Sequence, residues 1–248
     1  MSEERESLLE FRRPRLLDLF CGAGGASQGY HDVGFEVVGV DIAPQRNYPF
    51  AFIQADAIEY LSSLLEWMDN EQLGSPPFVA VHASPPCQRY SDLAKRNGNA
   101  EAHPDLIGPV RELLAQTGLP YVIENVEGAP LNDAIRLCGT LFGLGVGGYR
   151  LRRHRLFESN VSLVSPGCWC YGDPRPVIDV SGGGPTKAPR LDGKGGRTYK
   201  GTAAEARLAM GIDWMTKAEL NESIPPVYTR IIGAQLLASV QRAMAAVA

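Results

Sequence analysis

The chain has 248 residues, 44% of them hydrophobic, with 24 Lys and Arg against 28 Asp and Glu for a net charge of −4. That length builds one to two domains around a full core, which excludes a miniature fold stapled by disulfides or a structural metal. The small negative total excludes whole-surface attraction to nucleic acid or anionic lipid, but a local basic cleft is compatible with it.

The opening residues, Met1-Ser2-Glu3-Glu4-Arg5-Glu6, are acidic and lead into no signal-like apolar run. No stretch of about 18 apolar residues occurs, so a cytoplasmic protein without a membrane partner is expected. Cysteines stand at 21, 87, 138, 168 and 170. An odd count at irregular spacing predicts reduced thiols and no metal site, with Cys168-Trp169-Cys170 read as a packed corner of a small lobe.

Arg15-Leu16-Leu17-Asp18-Leu19-Phe20 predicts a strand, Cys21-Gly22-Ala23-Gly24-Gly25 a tight turn, and Ala26 to Val33 a helix. A second apolar run from Phe35 to Val40 ends on Asp41. A third, Phe52 to Ala55, ends on Asp56 before a helix pattern from Ile58 to Met68. Phe78 to Ala83 runs into Ser84-Pro85-Pro86-Cys87, and Tyr121-Val122-Ile123 runs into Glu124-Asn125-Val126 after a helical stretch from Leu106 to Thr117. Strand and helix alternate, which predicts a mostly parallel α/β sheet with helices on both faces.

From about Pro166 to Gly201 the texture turns to Gly, Pro, Lys and Arg, which predicts a small irregular insert. Helical pattern resumes over Ala203 to Met210, and Arg230 to Val247 reads as a helix packed on the sheet. The organisation expected is a core over 12–156, an insert over 157–202, and a return to the core over 203–248.

Ligands of such sheets sit beyond the C-terminal ends of the strands, where the Gly22–Gly25 turn, Asp41, Asp56, Pro86-Cys87 and Glu124-Asn125 all fall. The turn permits close approach of a nucleoside cofactor, and Asp41 is placed to accept from ribose hydroxyls. The glycine spacing is not that of a pyrophosphate site, and a plain packed turn is the competing reading. Cys87 behind two prolines has the rigid strand-end placement of a nucleophile, or is a buried structural thiol. Glu124 is a proton donor if partly desolvated, or a surface acid if not. Arg150, Arg152, Arg153, His154 and Arg155 form a basic run in which Arg153 and Arg155 share a strand face, or simply a solvated stretch.

In this order the pieces resemble the DNA cytosine-5 methyltransferases. Leu17 to Gly25 is similar to the family's opening cofactor motif, Ser84-Pro85-Pro86-Cys87-Gln88 to its Pro-Cys motif, and Glu124-Asn125-Val126 to its Glu-Asn-Val motif. Arg152 to Phe157 resembles the Arg-x-Arg motif, Ala206 to Ile212 the motif after the recognition region, and Glu222-Ser223-Ile224-Pro225-Pro226 the last motif before a C-terminal helix.

The resemblance implies a Rossmann-like fold binding S-adenosyl-L-methionine. Phe20, Gly22, Gly24, Gly25 and Pro86 would line the cofactor pocket, Asp41 and Ile42 meet the ribose end, Asp56 and Ala57 face the adenine, and Glu222 and Ser223 close the methionine end. It further implies Cys87 as nucleophile on cytosine C6, Glu124 as the group on N3, Arg153 or Arg155 on O2, and no metal. The implied partner is double-stranded DNA bound by a monomer. A loop over Gln88 to Asp105, with Arg89, Lys95, Arg96 and Asn97-Gly98-Asn99, would close on the flipped base.

DNA contact is expected from Lys187, Arg190, Lys194, Arg197, Lys200 and Arg207. The chain departs from the family pattern in its short insert, in Leu151 where Gln is common, and in Glu222 where Asn commonly meets the cofactor carboxylate. The same chemistry on RNA, a non-enzymatic DNA-binding relative, and another nucleotide-cofactor enzyme are the competing classes.

Overall fold

The computed structural model describes residues 13–70, 76–90, 100–168, 170–182 and 198–246. Five parallel strands come first: β1 (Arg15–Leu19), β2 (Glu36–Asp41), β3 (Ala51–Gln54), β4 (Ala80–Ala83) and β5 (Tyr121–Asn125). Strand β9 (Arg155–Ser159), antiparallel to its neighbours, and the edge strand β6 (Ile135–Leu137) complete a seven-stranded sheet of order β3-β2-β1-β4-β5-β9-β6. The alternation predicts a parallel sheet; the antiparallel strand β9 is not legible in it, because no α-helix separates β5, β6 and β9.

The central strands are apolar on both sides because helices cover both faces. Leu16 of β1 joins one cluster with Tyr30, Phe35, Tyr228, Ile232 and Leu236, whereas Leu17 and Leu19 point the other way, to Leu61, Leu64, Val110 and Leu114. The first face is covered by α1 (Gly25–Asp32) and the long α6 (Pro226–Ala245), the second by α2 (Ala57–Met68) and α3 (Ile107–Gln116). Helices α1 and α6 touch backbone to backbone at Gly29, where a Cβ would lie 2.0 Å from Pro226 O. The last helix begins at Pro226, four residues before the apolar pattern becomes regular, since proline is favoured in a first helical turn.

Between β6 and β9 lie β7 (Gly145–Val146) and β8 (Tyr149–Leu151), which pair with β10 (Val177–Ile178) and β11 (Thr198–Tyr199) in a second sheet of order β11-β10-β8-β7. The insert therefore shares a sheet with residues 145–151, and β9 runs across position 156. Ile178 and Val180 are buried against Leu151 and against α4 (Ala203–Met210) and α5 (Lys217–Glu222). Both of these helices open on capping boxes, Thr202 with Glu205 and Thr216 with Glu219.

Candidate active site

The strands of the parallel half end around a cavity of about 360 Å³. One end is formed by the turn after β1. Gly22 N donates to Asp41 Oδ2 at 3.0 Å, which ties the turn to the end of β2, and Asp41 Oδ1 accepts from Ala43 N at 3.0 Å. Gly25 opens α1 so close to the chain after α5 that a Cβ there would lie 1.9 Å from Ser223 Oγ. Phe20 is held at φ 57°, a strained angle for a non-glycine residue, and Ile42 is 68% exposed at the cavity wall.

The other end is built by β4 and β5. Asn125 Nδ2 donates to Pro85 O at 2.9 Å and Asn125 Oδ1 accepts from Val126 N at 2.9 Å, so one side chain locks the Glu124 segment onto the Cys87 segment. Cys87, Glu124 and Arg155 line this end together. Arg155 Nε lies 2.9 Å from Glu124 Oε1, an ion pair off hydrogen-bond alignment, so this buried oxygen keeps capacity for a further donor. Burial raises Glu124 above the ordinary carboxyl range although Arg155 opposes the shift. Burial also raises the Cys87 thiol, and Arg155 is again the main group working against it.

Of the predicted residues, Phe20, Gly22, Gly25, Asp41, Ile42, Pro86, Cys87, Glu124, Arg155, Glu222 and Ser223 line this one cavity. Gly24, Asp56, Ala57 and Arg153 do not. Gly24 caps α1 from behind against the Tyr48 ring, Asp56 caps α2 by accepting from Ile58 N at 2.8 Å, and Ala57 is buried in that helix. Arg153 and Arg155 were expected to share a strand face. They do not, because β9 starts at Arg155 and residues 152–154 have no regular period. The Arg153 guanidinium turns away and donates to Val180 O, to Asn221 O at 2.7 Å and to Ser223 O at 2.6 Å.

The cavity also gathers Cys21, Gln45, Ser84 and Glu219, none of which is among the residues given a site role by the sequence. Ser84 adjoins the Pro-Pro-Cys motif, whereas Glu219 arrives from α5 and no local signal marks it. Behind the cavity, Tyr30 OH and His82 Nδ1 are 2.9 Å apart and His82 Nε2 and Ser84 Oγ 2.9 Å, a buried polar chain leading toward Glu124. Burial holds His82 neutral, with its pKa lowered to about 3. Asp18, equally buried, is raised to about 7 and accepts from Ser27.

Lys95, Arg96, Asn97, Gly98 and Asn99 of the predicted loop, and Lys187, Arg190, Lys194 and Arg197 of the insert, lie outside the described residues, as does Trp169. At the described ends of the loop, Arg89 Nη1 donates to His103 O at 2.9 Å and the Tyr90 hydroxyl donates to Asp105. Lys200 pairs with Asp179 at 3.6 Å, and Arg207 Nε donates to Met215 O at 2.8 Å. Among the described residues no helix is long and apolar enough to cross a membrane.

Residues 14–136 match the model of the C-5 cytosine-specific DNA methylase family. The Type II methyltransferase M.AgeI of Thalassovita gelatinovora is 29% identical over 126 residues, 46% of this chain but 28% of the relative. The Type II methyltransferase M.HgiGI of Herpetosiphon aurantiacus is 31% identical over 128 residues, 48% of this chain and 94% of the relative. The match thus spans under a third of the length of the first relative and nearly all of the other. In fold, the chain is similar to a prophage-encoded E. coli protein described as a DNA modification methyltransferase, at 16% identity and a TM-score of 0.54 over 92% of this chain and 99% of that one. It is likewise similar to the S. pombe Dnmt2 methyltransferase, at 14% identity and a TM-score of 0.52 over the same shares. By the relative matched over nearly its whole length and by the family model, the chain belongs to the C-5 cytosine-specific DNA methylases.

Proposed function

We propose that the chain is a DNA cytosine-5 methyltransferase that uses S-adenosyl-L-methionine, and that it acts on duplex DNA as a monomer in the cytoplasm. The observation that carries this reading is the convergence of Cys87, Glu124 and Arg155 at one end of a cavity whose other end is the Gly22–Gly25 turn with Asp41 and Ile42.

The residues present fit the cofactor. Asp41, Glu219 and Glu222 face one lining arginine, an acidic field suited to a ligand with a sulfonium and an ammonium against one carboxylate. Gly22, on the cavity wall, has open space where a Cβ would stand, and the uncovered Ile42 side chain offers a flat base an apolar contact. When bound, S-adenosylmethionine supplies an activated methyl group on sulfur.

The protein's own part begins with the Cys87 thiolate, which adds to C6 of the cytosine and makes C5 electron-rich. Glu124, whose burial favours the protonated form, donates to N3 and so prevents negative charge from accumulating on the ring. Its Oε1, without an aligned donor, is placed to accept from the exocyclic amine. Arg155, held beside Glu124, donates to O2. Once C5 carries the methyl group a base removes the C5 proton, the C6–S bond breaks, and Cys87 leaves as thiolate, giving 5-methylcytosine. A base inside a duplex cannot reach this cavity, so the nucleotide must be flipped, with phosphate contacts from the insert and the 88–105 loop offsetting an unstacking cost of a few kcal/mol.

Incubation with methyl-labelled S-adenosylmethionine and duplex DNA, single-stranded DNA or transfer RNA tests the proposal. Label in duplex DNA is expected; label in RNA alone, or in no acceptor, overturns it.

A further inference from the structure

On the far side of β9 from the cavity, three of the five cysteines meet a histidine. Cys138 Sγ, Cys168 Sγ, Cys170 Sγ and a His154 ring nitrogen all lie within 4.8 Å of one another. His154 Nε2 is 3.2 Å from Cys170 Sγ and 3.5 Å from Cys168 Sγ. The topology makes this meeting. Leu137 of β6 pairs with Arg155 of β9, so Cys138 and His154 are the next pair along the same antiparallel ladder. Cys168 and Cys170 are then laid over them by the first turn of the insert.

The group has the chemistry of a closed tetrahedral site. Zinc–thiolate bonds of about 2.3 Å and zinc–imidazole bonds of about 2.0 Å set tetrahedron edges of roughly 3.5–3.8 Å, so the four donor atoms need to close by only about 1 Å. Cys138 and Cys170 are fully buried and the His154 side chain is 7% exposed, which leaves no open position for a substrate. The remaining ring nitrogen is also committed: His154 Nδ1 lies 2.7 Å from Glu127 Oε2, and Arg136 donates to the other oxygen of Glu127 at 3.2 Å. A carboxylate that fixes the tautomer and orientation of a histidine is the usual support of a metal-bound imidazole. Thr140 Oγ1 donates to Cys138 Sγ at 3.2 Å, a further contact that favours the thiolate.

We propose that Cys138, His154, Cys168 and Cys170 bind a structural zinc ion, with Glu127 as the hydrogen-bonded support of His154. Binding converts three thiols to thiolates and releases their protons, and the imidazole enters neutral with its Nδ1 proton donated to Glu127. His154 stands between Arg153, which anchors the insert and the chain after α5, and Arg155, which reaches Glu124. The ion would therefore pin the insert to the strand that carries the cavity arginine. Cys168-x-Cys170 alone did not suggest this, because half of the ligand set is supplied by the β6–β9 register.

The test is the metal content of the full chain purified without chelator, with cobalt substitution as a second readout. One equivalent of zinc is expected, and cobalt should give the visible absorption of a tetrahedral thiolate complex. Zinc should fall to background in Cys170→Ser and persist at one equivalent in Cys87→Ser. Should Cys170→Ser fail to fold, Cys168→His, at the half-buried ligand, reads the same question: it should keep one equivalent of cobalt with weaker thiolate charge transfer. Glu127→Gln should weaken zinc about 10- to 100-fold in competition with a chelating dye. A folded, reduced chain that takes up neither zinc nor cobalt overturns the proposal. So does a disulfide between any two of the three cysteines in the protein as isolated, or a zinc content unchanged in Cys170→Ser and in Cys168→Ala.

Discussion

Arg155 Nε stands 2.9 Å from Glu124 Oε1, across the antiparallel pair formed by β9 and β5. Arg153, two residues earlier, satisfies three backbone carbonyls instead. The two arginines therefore separate in their effects. Arg155→Ala should lower turnover by about 10²-fold, the usual cost of one preorganised donor, with a smaller loss of stability because Glu124 can take up a proton when its partner is removed. Arg153→Ala should cost about 3–5 kcal/mol of stability, because it leaves buried carbonyls without donors. Steady-state methylation and thermal melts of both variants check this; equal loss of stability in the two would contradict it.

Cys87→Ser should abolish methyl transfer while leaving duplex and cofactor binding within a few-fold of the native values, since a serine hydroxyl is a poor nucleophile near neutrality. Binding isotherms beside turnover assays distinguish this from a folding defect.

The pH dependence follows from two groups moved upward by burial. Cys87 must be deprotonated, so single-turnover rate rises with pH; Glu124 must hold its proton, so the rate falls again once that proton is lost. Arg155 lowers both, and Arg155→Ala should move both limbs of the profile to higher pH. Limbs that stay where they are in this variant would separate Arg155 from both groups.

Glu222 is one of four acids facing the cavity. Glu222→Gln should weaken S-adenosylmethionine, which carries net positive charge, about two- to five-fold, and leave the neutral product S-adenosylhomocysteine unchanged. Titration calorimetry with both ligands reads the ratio, and equal weakening of the two would refute a charge effect.

Asp18 is buried, and desolvation raises its pKa from 3.8 to about 7. The folded chain holds this proton where the unfolded chain has lost it, so the contribution of Asp18 to stability is fully present below about pH 4 and is lost as pH rises to about 7, by at most about 4 kcal/mol. Asp18→Asn imitates the protonated side chain. Its melting temperature should exceed that of the native protein at pH 8, and the gap should shrink at pH 5; a constant gap would mean that Asp18 keeps its charge when folded.

Most of the cavity was legible in the sequence. Phe20, Asp41, Cys87 and Glu124 each follow an apolar run, and a parallel sheet delivers the ends of its strands to one edge whatever the order of those strands. Asp56 also follows such a run, but its carboxylate is drawn into capping α2, a local hydrogen bond that competes with the cavity. Glu219 and Ser223 reach the cavity only because α5 and the start of α6 fold back over α1.

Local spacing thus determined the strand and helix alternation, the strand-end motifs and the family, because periodicity and turn chemistry are properties of neighbouring residues. The tertiary structure alone decided which arginine enters the cavity, since that depends on the residue at which β9 begins. It alone also brought Cys138 and His154 to Cys168 and Cys170. That meeting is set by an antiparallel register between segments 16 residues apart and by an insert folded across them, and neither leaves a periodic trace in the chain.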